Sequence, residues 1–157
     1  CLVVLMVIGI QIAVHSWIRV PLLSVWLRHP AIGLVVEDRK LKEAWPKTGD
    51  RLRLEAAQAQ GLDVCCLTPV VSPSGVASPV LHEWLVDGEV IDRIALPPVR
   101  GGDAASGNAF RTYSCKHNLP RASSIHRLTC RVYLDQRIYL GKADVQFADP
   151  VTAEAPK

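Results

Sequence analysis

The chain has 157 residues, 49% of them apolar but only 6% aromatic, with 11 Pro and 10 Gly. Many short elements broken by Pro and Gly suit an all-β domain better than a helical bundle. The formal charge of +3, from 18 Lys and Arg against 15 Asp and Glu, is too slight to support nucleic-acid binding.

The basic excess is local. Residues 19–47 carry Arg19, Arg28, Arg39, Lys40, Lys42 and Lys47 against Glu37, Asp38 and Glu43, which accounts for the whole net charge. Upstream, Cys1 to Ile18 contains no Asp, Glu, Lys or Arg. As a helix at ~1.5 Å per residue it would span roughly 27 Å, close to the ~30 Å hydrocarbon thickness of a bilayer. Trp17 and Arg19 fall where head groups begin, and the cations beyond them would face anionic lipid. A signal peptide would need a basic start and a small-residue cleavage site, and a buried helix would need protein on every side. The expectation is a membrane-spanning segment, with Pro21 breaking the helix and Leu22 to Leu27 lying along the interface, so that the membrane region covers residues 1–27. Gln11 and His15, four apart, would share a face at a helix–helix contact. The opening at Cys1 inside an apolar run reads as a piece of a longer protein; a lipoprotein would place a polar tether after its Cys.

Residues 28–49 read as a linker ending in Pro46-Lys47-Thr48-Gly49. Arg51 to Gln60 favours a short helix, capped by Asp50 and closed by Gly61. From there the pattern turns to β. Strands are expected over Asp63–Val71, Val80–Val86, Glu89–Leu96, Phe110–His117, Arg127–Asp135 and Ile138–Phe147. Six strands at this spacing suggest an immunoglobulin-like β-sandwich over residues 50–149, followed by a tail at 150–157.

Asp87-Gly88 between two apolar runs is a hairpin signal. An uninterrupted two-residue hairpin pairs Val86 with Glu89, Leu85 with Val90, Trp84 with Ile91, Glu83 with Asp92, His82 with Arg93 and Leu81 with Ile94. The Leu81, Leu85, Val90, Ile94 and Leu96 face is then the predicted core. That register sets Glu83 against Asp92, an unfavourable pairing of like charges unless a cation lies between them or that end of the face reaches solvent.

Several of these pieces recur in order over Leu62 to Phe147: Thr68-Pro69, His82-Glu83-Trp84, Asp87-Gly88, and Val90-Ile91-Asp92-Arg93-Ile94. Gly101-Gly102, Phe110-Arg111-Thr112-Tyr113-Ser114, Asn118 with Pro120, Arg131-Val132, and Leu140-Gly141 before Phe147 complete the series. Together they resemble the bacterial domain-of-unknown-function family 2914. The chain departs from that pattern at His126-Arg127-Leu128, at Gln136-Arg137 and in a loop lengthened by Asp103 to Asn108. The resemblance implies a β domain placed after a multi-span membrane region, and it implies no activity.

Cys65, Cys66, Cys115 and Cys130 fall on predicted strands with no Cys-x-x-Cys pair. They read first as small buried hydrophobes, with a strand-to-strand disulfide open to an extracytoplasmic domain. No metal or cofactor site is expected. Cys115 and His117, alternate residues on one strand, could form a nucleophile–base pair but lack an evident acid to orient the base. His82, Trp84 and Arg93 form a candidate binding patch, against the plainer reading of Trp84 as a packed core residue, and Asp92 is expected to pair with Arg111 or to sit with Glu83 at a solvated rim. The function read from this pattern is a membrane-anchored, non-catalytic binding or assembly module of the bacterial envelope, contacting the lipid bilayer and a protein or envelope polymer. The alternative is a membrane-bound Cys/His hydrolase. The cations at 19–47 favour a cytoplasmic domain, whereas the resemblance places it in the periplasm beyond an inner-membrane span; the periplasm is the expectation.

Overall fold

A computed structural model describes residues 25–38, 40–72, 77–100 and 109–148. In chain order these form β1 (Trp26–Leu27), β2 (Ala31–Glu37), β3 (Lys40–Ala44), β4 (Thr48–Gly49) and helix α1 (Arg51–Ala59). There follow β5 (Val64–Val71), β6 (Ala77–Val86), β7 (Glu89–Arg100), β8 (Phe110–Lys116), a 3-10 turn at Ala122–Ser124, β9 (Arg127–Leu134) and β10 (Ile138–Phe147). The described residues are mainly β, with two five-stranded sheets and one α-helix among them.

In the first sheet β5 is central. β8 lies along one edge of it, while β1 and β2 share the other edge and β3 flanks β2. The second sheet runs β4-β10-β9-β6-β7, with β4 parallel to β10 and every other pair antiparallel. Ile32, Val64 and Cys66 from the first sheet share a buried cluster with Trp84, Leu128, Cys130 and Val145 from the second. One core therefore separates the two faces.

Residues 28–49, expected as a linker, carry three strands. The apolar run Ala31–Val36 is what a strand buried against a sheet looks like, and Ile32, Gly33 and Leu34 are indeed buried. β3 is an edge strand, where exposed Lys40, Lys42 and Ala44 alternate with half-buried Leu41 and Glu43. Lys42 pairs with Glu37 at 3.2 Å, and Arg53 reaches Glu43 at 2.6 Å. At Gly33 the approach of β3 leaves no room for a side chain, because a Cβ there would collide with the Glu43 carbonyl.

Helix α1 forms where expected. The Asp50 carboxylate accepts the Leu52 N–H at 2.9 Å, and Gly61 leaves the helix in the left-handed region at φ 65°. Arg51 anchors it by donating to the Ala122 and Ser123 carbonyls at 3.0 and 2.8 Å.

The Asp87-Gly88 turn is also as expected, with both residues at positive φ and Val86 opposite Glu89. The register then departs from the uninterrupted ladder. After Leu85↔Val90 the pairing slips by one, so that Trp84 faces Asp92, Glu83 faces Arg93, His82 faces Ile94 and Leu81 faces Ala95. Ile91 is the extra residue of this bulge. The slip replaces the repulsion of Glu83 and Asp92 with an ion pair between Glu83 and Arg93. The expected core face holds in part: Leu85 is buried, Leu81 is half-buried, and Ile94 and Leu96 are half-buried against the core, but Val90 is exposed and Val80, His82, Trp84 and Val86 are buried as well. β7 continues through Pro97 and Pro98, which an edge strand tolerates because one side of it needs no ladder donors.

The expected span Cys1–Ile18 lies outside the described residues. Among those described, no helix is long and apolar enough to cross a membrane.

Candidate functional site

Three neighbouring strands send polar side chains into the interior: Thr68 from β5, His82 and Trp84 from β6, Thr112 and Ser114 from β8. All five are buried, and His82 and Trp84 completely so. The Trp84 indole N–H donates to Ser114 Oγ at 2.9 Å. His82 Nδ1 lies 2.7 Å from the same oxygen, and Nε2 lies 2.8 Å from Thr68 Oγ1. Thr68 Oγ1 and Thr112 Oγ1 are 2.7 Å apart, and Thr112 also donates to the Thr68 carbonyl at 3.2 Å.

The donors fix the direction of this chain. An indole can only donate, so Ser114 accepts from Trp84 and gives its own proton to His82 Nδ1. His82 then carries its proton on Nε2 and donates to Thr68, which donates to Thr112. The opposite tautomer would leave the Ser114 proton without an acceptor among these groups. Burial holds the imidazole neutral by lowering its pKa to about 4.

Cys66, His82 and Cys130 also have their donor atoms within 4.8 Å of one another, all buried. Two thiols and an imidazole are a donor set for a soft or borderline cation. The fit is poor on two counts. Both imidazole nitrogens are already hydrogen-bonded, so a cation would detach Ser114 or Thr68 and leave a buried hydroxyl unsatisfied. Burial, and then the neighbouring Cys66 thiol, push the Cys130 pKa well up and disfavour the thiolate that a metal needs. The cluster is therefore a packed, hydrogen-bonded core.

On the opposite face of β6, Glu83 is buried beneath cations. Arg93 Nε donates to it at 2.9 Å, Arg131 Nη1 at 3.3 Å and the Tyr133 hydroxyl at 3.4 Å. Burial works against the carboxylate, but the two guanidiniums outweigh it and hold the pKa below the ordinary value. Asp92 is paired with Lys116 at 2.6 Å, and that ammonium with the Arg93 N–H lowers its pKa. The expected pairing with Arg111 is corrected: Arg111 is exposed on β8 opposite Pro69. The expected patch is corrected too. Arg93 is exposed, but His82 and Trp84 point into the core, so the three do not share a surface.

Cys115 is bonded to its cross-strand partner Cys65, with an S–S distance of 2.07 Å. Its sulfur is therefore not a free thiol. His117 does have an acid, since Asp63 Oδ1 lies 2.6 Å from its Nδ1. The surface depression beside His117 is lined by Ile91, Lys116, Asn118 and Leu119 among others, and Cys115 is not among its lining residues.

Sequence reasoning missed the Glu83 cluster and the interior hydrogen-bond chain. The opposition of Glu83 and Asp92 was the available signal for the first, because a one-residue slip relieves it. Nothing in residue types alone announces that Thr68, Thr112 and Ser114, far apart in sequence, converge on His82. No protein-family model matches the chain, and no match was found among curated proteins, so the resemblance read from its motifs finds no support there.

Proposed function

We propose that this chain is a non-catalytic binding or assembly module, an immunoglobulin-like β-sandwich held at a bacterial inner membrane with its β domain on the periplasmic side. The Cys65–Cys115 disulfide carries the reading. Disulfides persist in oxidising compartments, and this one occupies the sulfur that a Cys/His hydrolase would use as its nucleophile.

Topology supports the immunoglobulin-like part. With β3 and β4 set aside, the remaining long strands β2, β5, β6, β7, β8, β9 and β10 can be numbered one to seven. One sheet is then first-second-fifth and the other seventh-sixth-third-fourth; a constant-type immunoglobulin sandwich sets first, second, fifth and fourth against third, sixth and seventh, so the two differ only in the sheet that takes the fourth strand. Trp84, on the third of these strands, packs with Cys66 and Cys130 on the second and sixth. Antibody domains set a buried Trp against an inter-sheet Cys pair at the same strands.

The uncharged run Cys1–Ile18 supports the anchor. The cations that favoured a cytoplasmic domain weigh less once Lys40 and Lys42 are found within a folded strand, because positive-inside bias counts short loops close to a span. The partner would be a protein or envelope polymer met at an exposed face or sheet edge.

Complementation of a deletion strain tests the non-catalytic reading. His117→Gln, with protein level checked, is expected to restore the phenotype fully, as is the double variant Cys65→Ser with Cys115→Ser at a temperature where it remains folded. Loss of function in folded His117→Gln protein would favour the hydrolase.

A further inference from the structure

Four large apolar side chains lie exposed at one end of the molecule. Trp26 on β1 stands opposite Val71, and Phe110 on β8 opposite Val70. Ile138 and Tyr139 open β10 beside Leu134, whose other neighbour is Val80. Val70, Val80 and Leu134 belong to one buried cluster, which places all four at the same end. Their exposures are 47%, 36%, 49% and 52% in that order. The opposite end carries α1, the 3-10 turn and the Asp87 hairpin tip, whose carboxylate accepts the Arg127 N–H at 2.6 Å.

The apolar end is also the end at which the chain arrives from residues 1–24. The uncharged run stops at Ile18 and β1 starts at Trp26. The intervening residues 19–25 reach at most about 25 Å when fully extended. If Ile18 marks the edge of the hydrocarbon, this rim cannot stand far from the head groups, and such a short tether keeps its local concentration at the bilayer high. Trp and Tyr favour that layer because their rings are apolar with one polar edge. Arg137, exposed in the turn before Ile138, supplies a cation for lipid phosphate.

We infer that the Trp26, Phe110, Ile138 and Tyr139 rim rests in the head-group layer of the bilayer and fixes the domain end-on to the membrane. The inference rests on the membrane-anchored reading and adds which surface meets lipid. It leaves the exposed β7 and β3 edges directed sideways, parallel to the membrane plane, for other partners.

The test uses the full chain in nanodiscs of phosphatidylcholine and phosphatidylglycerol, in a Cys1→Ser background. A nitroxide is attached at Tyr139→Cys or, separately, at Phe110→Cys, and the comparator is Leu52→Cys on α1 at the far end. Both rim labels should show a ratio of oxygen to nickel-complex accessibility several-fold above that at Leu52. Parallel alkaline-carbonate extraction of membranes reports the anchor independently. Carbonate-resistant protein whose rim labels are as water-exposed as the Leu52 label overturns the inference and spares the anchor. Release by carbonate overturns the anchored reading, and the inference falls with it.

Discussion

His82 shows how one residue can be misread by type and explained by place. A His beside a Trp and an Arg suggested a surface patch; burial converts it into the hub of a hydrogen-bond chain. That placement has a pH consequence. Unfolded His titrates near 6.5, whereas folded His82 is lowered to about 4. The unfolded chain therefore binds the proton first, and stability present above pH 6.5 is lost as pH falls toward 4. The loss should approach about 3 kcal/mol by pH 4. Urea denaturation at pH 7, 6, 5 and 4.5 would show it, before the depressed carboxylates of Glu83 and Asp92 begin to contribute at lower pH. A flat stability from pH 6.5 to 4.5 would contradict the neutral, sealed imidazole. Ser114→Ala tests the chain from its other member. It should cost about 1–3 kcal/mol, because the Trp84 N–H and His82 Nδ1 both lose their partner. The Ser114 prediction is checked by the shift in denaturation midpoint at pH 7.

At the scale of elements, local chemistry was legible and long-range pairing was not. The Asp50 cap, the Gly61 exit and the Asp87-Gly88 turn each depend on neighbours in sequence, and each formed where the residues placed it. The slip at Ile91 depends on Glu83 finding Arg93 and Arg131 from two flanking strands, so no single strand contained it. The same limit hid the places of β2 and β3: β2 pairs with β5, some thirty residues on, and β3 is held at the sheet edge by β2. Two predictions belong here. Asp87→Ala should cost about 1–2 kcal/mol, since it places Ala at φ 51° and removes the acceptor of the His126 and Arg127 N–H groups; Asp87→Asn, which tolerates that φ, should lose less. The disulfide joins residues separated by 50 in sequence, a loop whose closure limits the unfolded chain by about 4 kcal/mol. The double Ser variant should lose a comparable stability in thermal or urea unfolding under non-reducing conditions.

For the molecule as a whole, the architecture separates two kinds of polar chemistry. The interior chain from Trp84 to Thr112 is closed upon itself, while the charged side chains around Glu83 and Asp92 neutralise one another at the outer face. Neither presents a nucleophile to a substrate, and of the two surface histidines that meet an acid, His117 with Asp63 and His126 with Asp87, the first follows two residues after a sulfur held in a disulfide. These features favour the proposed module, which would meet partners by its surface on the oxidising side of a membrane. The proposal therefore turns on the oxidation state of one pair of sulfurs in the cell. The direct measurement is acid-quenched thiol trapping in intact cells. Cells expressing the chain are precipitated, denatured and alkylated with a mass-tagged maleimide, with and without prior reduction, and the tagged peptides are read by mass spectrometry. Cys65 and Cys115 are expected to remain untagged until reductant is added and to be recovered as one linked peptide pair. Full tagging of both without reductant would contradict the proposal.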